Sequence, residues 1–453
     1  MNRVMGLVVA ACGVLLWAGG CNSRSSADAE RRRPAAEVST QELPSFATVI
    51  VDYSASFAPL TQTDRLALKE TARALADMAV QDWSPPTTIV WRKIGTASTA
   101  AAPLCDVIEY KRSIIGAAGS AEQLRAHLDA CAETVVRASR MTGAPEPYTD
   151  IADGIMMAAQ NWAPVAGRKA LIILSDFLED LPKGGHAAQV QLHGESVLLL
   201  NRPGTTENGD PAAYLARVSG WKNRLIASGA SSVVTLPTFR ATRYSVEQAL
   251  SGQPGVGTSI SFVTDLVPPL PDQQTVNQAI ITLSKAFAKS AAEWSAPVTG
   301  GWFVTARPAW RTTAVAPVVY TPRLARRANE LNTMEAFEKT IEEMGLALQE
   351  RHDGGNGDID GTLRLISESE PAPTRYTVLL SDFATPAPSA TTQSLQGERI
   401  LMVYRARAAT DGAQFFKRLA GWQQYLEHTG AVHVCALDIT TLTESVISTC
   451  VKP

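Results

Sequence analysis

The chain has 453 residues, more than one ordinary domain holds and enough for two or three. Its 45% hydrophobic and 19% charged residues suit globular domains with sizeable cores and exclude a largely disordered or fibrous chain. The net charge of −3, with no basic run in the body of the chain, argues against a nucleic-acid partner.

In chain order, Met1-Asn2-Arg3 is a short positive segment, and residues 4–17 are apolar and too short to span a bilayer. Ala18-Gly19-Gly20 then precede Cys21. This pattern resembles a bacterial lipoprotein signal peptide, with Ala18 where that class favours Leu. The resemblance implies a signal over 1–20, removal before Cys21, a lipid on Cys21, and export to the cell envelope. Asn22 stands where Asp tends to mark retention at the inner membrane, which favours the outer membrane. Residues 21–46, rich in Ser, Ala, Arg, Glu and Pro, lack apolar periodicity and read as a tether between lipid and body.

From residue 47 onward, strand and helix patterns alternate. Strands are expected at 48–52, 87–94, 170–175, 196–201 and 231–236, and helices at 63–81, 120–139, 150–162 and 212–228, the last closed by Gly229. In "PPTTIVWRK" (85–93) the prolines mark the entry of a strand. Apolar strands alternating with helices imply an α/β fold with a mostly parallel, doubly wound sheet covered on both faces. The stretch "SGQPGVG" (251–257) reads as a linker between a domain at 47–250 and a second at 258–453.

The second domain echoes the first. "RKALIILSDFLEDLP" (168–182) returns as "TRYTVLLSDFATPAP" (374–388), and "GESVLLLNRP" (194–203) as "GERILMVYRA" (397–406). "YLARVSGWKNRLIASGA" (214–230) returns as "FFKRLAGWQQYLEHTGA" (415–431), and "TDIADGIMMAA" (149–159) more faintly as "GDIDGTLRLIS" (357–367). Four blocks in one order indicate a duplicated domain. Trp83 and Trp294 correspond, as do Trp221 and Trp422, and these are expected as core wedges. Among the four cysteines of the body, Cys105, Cys131, Cys435 and Cys450, three pairings are open. Export permits disulfides, and the cysteines fall as two near pairs, one in each half, which favours Cys105–Cys131 and Cys435–Cys450; buried free thiols are the alternative.

The first strand runs into Asp52-x-Ser54-x-Ser56. Thr149 follows a Gly/Pro-rich loop and precedes a helix, and Asp176 ends the apolar strand of 170–175. Three strand-end loops thus supply two carboxylates and three hydroxyls, hard oxygen donors suited to Mg²⁺, Mn²⁺ or Ca²⁺. The arrangement resembles the von Willebrand factor A domain and its metal-ion-dependent adhesion site, over residues 47–240. The resemblance implies that Ser54, Ser56 and Thr149 hold the ion directly or nearly so. Asp52 and Asp176 then act largely through water, and one position stays open for an acidic side chain of a partner protein. In the second half Asp265 and Asp382 persist. Val267, Pro269 and Gly357 replace the hydroxyl residues, so a degenerate copy without that site is expected. "NGDIDG" (356–361) loosely resembles the start of an EF-hand calcium loop, but Ser367 stands where the closing Glu belongs.

The leading expectation is a lipid-anchored, non-enzymatic binding protein. A metal-independent envelope scaffold is the alternative, and a metal-dependent hydrolase a third reading. The hydrolase would need a base such as His186 or His193 to reach the site.

Overall fold

The computed structural model describes residues 44–453 except 84–85, 96–102, 106, 112–116, 142–146, 161–166, 182–188, 205–210, 252–256, 267–272, 295–296, 306–312, 315–317, 321–332, 350–356, 370–371, 390–394, 406–411 and 452–453. The expected signal peptide, Cys21 and most of the tether lie outside the described residues, as do Val267, Pro269 and His186.

Strands without a polar face need cover on both sides, and the most apolar runs lie mid-sheet. Strands β1 (Ser45–Asp52), β2 (Thr87–Ile94), β3 (Ile108–Tyr110), β4 (Lys169–Ser175), β5 (Ser196–Asn201) and β6 (Ser232–Pro237) form a sheet of order β3-β2-β1-β4-β5-β6. All pairs are parallel except the edge pair β2–β3. Helices α1 (Gln62–Gln81), α2 (Ala117–Met141), α3 (Ile151–Gln160), α4 (Pro211–Ala227) and α5 (Arg243–Ser251) cover it. Chain order reverses at β1, which lies between β2 and β4, and in open α/β sheets a ligand crevice forms at such a switch point.

The second sheet repeats the plan. Strands β7 (Thr258–Asp265), β8 (Val298–Val304), β9 (Thr313–Ala314), β10 (Val318–Tyr320), β11 (Thr374–Ser381), β12 (Glu398–Tyr404) and β13 (His433–Asp438) give the order β10-β8-β7-β11-β12-β13, with β9 also on β8. Helices α6 (Gln273–Ala291), α7 (Met334–Gln349), α8 (Ile359–Ser369), α9 (Gly412–His428) and α10 (Glu444–Val451) flank it. The fold class is therefore α/β, with two tandem, mostly parallel, doubly wound sheets. No described helix is long and apolar enough to cross a membrane.

The duplication extends to atomic detail. Phe177 and Phe383 both adopt left-handed backbone, at φ 59° and 45°. Each has its amide on the serine two residues earlier, at 2.8 Å to Ser175 Oγ and 2.9 Å to Ser381 Oγ. Trp221 Nε1 donates to the Phe177 carbonyl at 3.1 Å and Trp422 Nε1 to the Thr385 carbonyl at 2.9 Å, so these tryptophans are wedges locking the strand exits. Gly229 and Gly430 end α4 and α9 with φ of +103° and +99°, where a side chain would be strained.

Each sheet has a hydrophobic cluster on either face. A disulfide joins Cys105 to Cys131 of α2, and another joins Cys435 of β13 to Cys450 of α10. Counting back 201 residues, the offset of Trp422 from Trp221, places Val234 and Ala249 at the positions of the second pair. Both pack in the first half's core, so the bridge stands where the first half has two apolar side chains.

The halves pack directly. Leu365 of α8 joins the cluster around Ile151 and Leu199. Phe239 meets Phe303 edge-on at 5.8 Å. The buried Arg240 donates to Ser261 Oγ at 2.7 Å and lies 4.8 Å over the Phe303 ring. Burial pushes the Arg240 guanidinium down to about 9, against the attraction of Glu398.

Candidate functional site: an oxygen cluster at the switch point

β1 ends at Asp52 and β4 at Ser175, so adjacent parallel strands deliver Asp52 and Asp176 to one sheet edge. Both aspartates are fully buried. Asp52 Oδ1 accepts from the Ser54 amide at 2.8 Å and Oδ2 from Ser175 Oγ at 2.6 Å. Ser54 Oγ and Ser56 Oγ are 3.1 Å apart. Asp176 Oδ1 accepts from the Leu178 amide at 3.0 Å, and Arg217 Nε donates to the Asp176 carbonyl at 3.1 Å.

Thr149 is buried and forms a two-way backbone bridge with Asp180, at 2.8 and 3.1 Å. That bridge ties the start of α3 to the segment leaving β4. Glu179 strengthens the tie by accepting from the Ala152 amide at 3.0 Å, and Asp150 caps α3 through the Asp153 amide at 2.9 Å. All five residues singled out in the sequence thus belong to segments that leave or adjoin β1 and β4.

Two buried carboxylates so placed repel. Asp52 is pushed up to about 6, first by burial and then by the charge of Asp176, while hydrogen bonds from Ser175 and Ser54 pull the other way. A divalent cation would offset that repulsion, and the available donors are all hard oxygens. The residues therefore fit Mg²⁺, Mn²⁺ or Ca²⁺. Among the described residues no three His, Cys, Asp or Glu side chains gather into a metal-holding group, so this cluster depends on its hydroxyls.

Three further residues shape the site. A Cβ on Gly204, beyond β5, would lie 2.3 Å from Asp176 Oδ2 and 2.8 Å from the Ser56 carbonyl, so only glycine fits there. Arg202 and Asp64 form an ion pair at 2.7 Å beside the loop that carries the serines. No motif marks them, although the arginine recurs in the echoed "LLLNRP" and "LMVYRA".

The second half closes the same position on itself. Asp265 accepts from Thr305 Oγ1 in a short contact, from the Gly357 amide at 3.1 Å and from Ser381 Oγ at 3.3 Å. A Cβ on Gly357 would fall 1.8 Å from Thr305 Oγ1 and 2.3 Å from Asp265 Oδ1, so a threonine like Thr149 has no room. Ile94 pairs with Asp52 across β1–β2, whereas Thr305 follows Val304, the partner of Thr264, and stands beside Asp265. Aligning Trp91 with Trp302 carries Ile94 onto Thr305, a signal the sequence reading missed. Burial, with a smaller contribution from Asp382, still pushes Asp265 up to about 6 against the Thr305 hydrogen bond.

His193 precedes β5 and donates its amide to Glu195, at the edge opposite Asp52. It is not brought to the cluster.

No family model matches the chain, and no curated protein matches it. Two structures of proximal thread matrix protein 1 from the mussel byssus are similar at 12% and 11% identity. They cover 90% of this chain and 95% and 94% of theirs, each with a TM-score of 0.27, too slight a likeness to carry an argument.

Proposed function

We propose that the chain is a tandem of two von Willebrand factor A-like domains, tethered to the bacterial envelope by a lipid on Cys21. In this reading the outer membrane is favoured. The first domain binds one divalent cation, Mg²⁺ with Mn²⁺ or Ca²⁺ as alternatives, and through it an acidic side chain of a partner protein. No catalysis is part of this reading. The observation that supports it most is the meeting of Asp52, Ser54, Ser56 and Asp176 at a topological switch point, where two buried carboxylates repel.

Ser54, Ser56 and Thr149 would hold the ion, with Asp52 and Asp176 behind them. A bound cation supplies an electrophilic centre for a carboxylate. One such contact gives specificity rather than affinity, so the partner would cover a surface of about 1,200–2,000 Å² in total. The position of His193 at the far edge favours binding over metal-assisted hydrolysis.

A second reading, a metal-independent scaffold, draws support from the second half, where Thr305 and Gly357 already fill the place beside Asp265. The experiment that separates the two is partner capture on the immobilised full chain in Mg²⁺ and in EDTA, with Asp52→Ala alongside. The adhesion reading requires partners retained only in Mg²⁺ and only by the native chain. Equal retention in all arms supports the scaffold.

A further inference from the structure

We propose that Arg202 and Asp64 form a clamp that positions the oxygen cluster, so that cation affinity is set partly by a guanidinium that never touches the cation. The inference rests on the metal-site reading above. Arg202 leaves the carboxyl end of β5 and reaches two segments, the start of α1 and the loop after β1. Its Nε donates to Asp64 Oδ2 at 2.7 Å. That oxygen also accepts from the amide and hydroxyl of Thr61, both at 2.8 Å, so the guanidinium closes on the N-cap of α1. Its second nitrogen donates to the Phe57 carbonyl in a short contact and to the Pro59 carbonyl at 3.3 Å, and its Cζ stacks 3.9 Å above the Phe57 ring. The pair is shielded, with side-chain exposures of 12% and 0%.

The clamp grips the cluster from two sides. Phe57 follows Ser56 directly, and the amides of Phe57 and Ala58 both return to the Ser54 carbonyl, at 3.1 and 2.8 Å. Residues 54–58 are therefore one tight turn, and holding Phe57 holds both serines. Two residues beyond Arg202, Gly204 lies against Asp176 Oδ2 and the Ser56 carbonyl. The loops after β1 and β5 are thus drawn together across Asp176.

The second half is an internal control. Matching the buried faces of α1 and α6 gives an offset of 212 residues, which puts the buried Val276 where Asp64 stands. Arg405 occupies the place of Arg202, and its buried Nη1 has no hydrogen-bond partner among the described residues. The copy whose serines are replaced by Val267 and Pro269 has also lost the carboxylate of the clamp. Strand order and helices persist in that copy, so the fold itself does not need the ion pair.

The test is Mn²⁺ titration of the full chain by calorimetry for the native protein, Arg202→Met, Arg202→Lys and Asp64→Asn, with melting of each in EDTA. The clamp predicts at least about tenfold weaker Mn²⁺ binding for Arg202→Met and Asp64→Asn, partial recovery in Arg202→Lys, and cooperative melting throughout. Native affinity in Arg202→Met or Asp64→Asn overturns the clamp while leaving the metal reading intact. A loss that lysine does not partly restore marks a purely architectural role and also overturns it. If Arg202→Met fails to fold, Asp64→Asn and Arg202→Lys decide by the same criteria. Absence of Mn²⁺ binding by the folded native chain overturns the metal reading and the clamp with it.

Discussion

Asp52→Asn removes one of two buried negative charges while keeping the shape of the side chain. In the cation-free protein Asp52 is pushed from 3.8 up to about 6, by burial first and Asp176 second. At 1.36 kcal/mol per pH unit, that difference sets the charged form back by about 3 kcal/mol at neutral pH. The asparagine oxygen can keep the Ser54 amide and its NH₂ can donate to Ser175 Oγ, though the latter must reorient, so a gain of about 1–3 kcal/mol is expected. For a half of about 200 residues this raises the melting temperature in EDTA by about 2–8 °C. On the proposed metal site, Mg²⁺ closes or reverses that gap. The native chain gains about 2.7 kcal/mol when the free ion is 100-fold above its dissociation constant, and the variant gains nothing. Scanning fluorimetry in EDTA and in Mg²⁺ reads both effects. A variant less stable than the native chain in EDTA, or one that gains as much from Mg²⁺, would refute the electrostatic reasoning.

The stabilisation by Asp52→Asn should depend on pH with a defined sign. The folded carboxyl takes up its proton near 6 and the unfolded one near 3.8, so the native chain carries the penalty fully above pH 6 and sheds it as pH falls towards 4. The difference in urea midpoint between native and variant in EDTA should therefore be about threefold larger at pH 7 than at pH 4.5. Gly204→Ala should weaken cation binding by about tenfold or more without unfolding the chain, because its Cβ would meet Asp176 Oδ2 at 2.3 Å; calorimetry decides. Arg240→Met removes a cation beside the buried Glu398 and the hydrogen bond to Ser261. Glu398 keeps Arg375 at 3.3 Å, so calorimetric melting should show a loss of only about 1 kcal/mol together with a split into two transitions, and an unchanged single transition would count against this contact between the halves. Replacing Cys435 by Val and Cys450 by Ala copies the first half's Val234 and Ala249. Opening this 15-residue loop should cost about 3 kcal/mol, less whatever the apolar side chains return, measured by denaturant titration.

Much of this architecture is written locally. The run from Thr48 to Val51 and the apolar 170–174 announce central strands because both their faces are covered, and the strand ends then fall where Asp52 and Asp176 were expected. The observed α2 extends at both ends beyond the 120–139 expected, since boundaries carry weaker signals than periodicity. The edge strand β3 escaped notice: three residues give no alternation to detect, and its antiparallel pairing depends on β2. The short α5 escaped for a similar reason, since what defines it is packing on α1. The Arg202–Asp64 pair lay beyond reach for a different reason. It acts on the cluster through a contact 138 residues apart in sequence, and only the folded sheet brings those partners together. The packing of Arg240 on the second half was likewise invisible, because "TFR" and "ITT" occupy equivalent turns and nothing in the sequence marks the reach of Arg240 to Ser261.

The central claim is that the first half holds one divalent cation on Asp52, Ser54, Ser56, Thr149 and Asp176. Its most direct test is calorimetric titration of Mg²⁺ and Mn²⁺ into the full chain, beside Ser54→Ala. The account predicts a single site in the native protein and its loss in the variant, with both proteins melting cooperatively in EDTA. A folded native chain that takes up no ion, or a variant that binds as the native chain does, would contradict it.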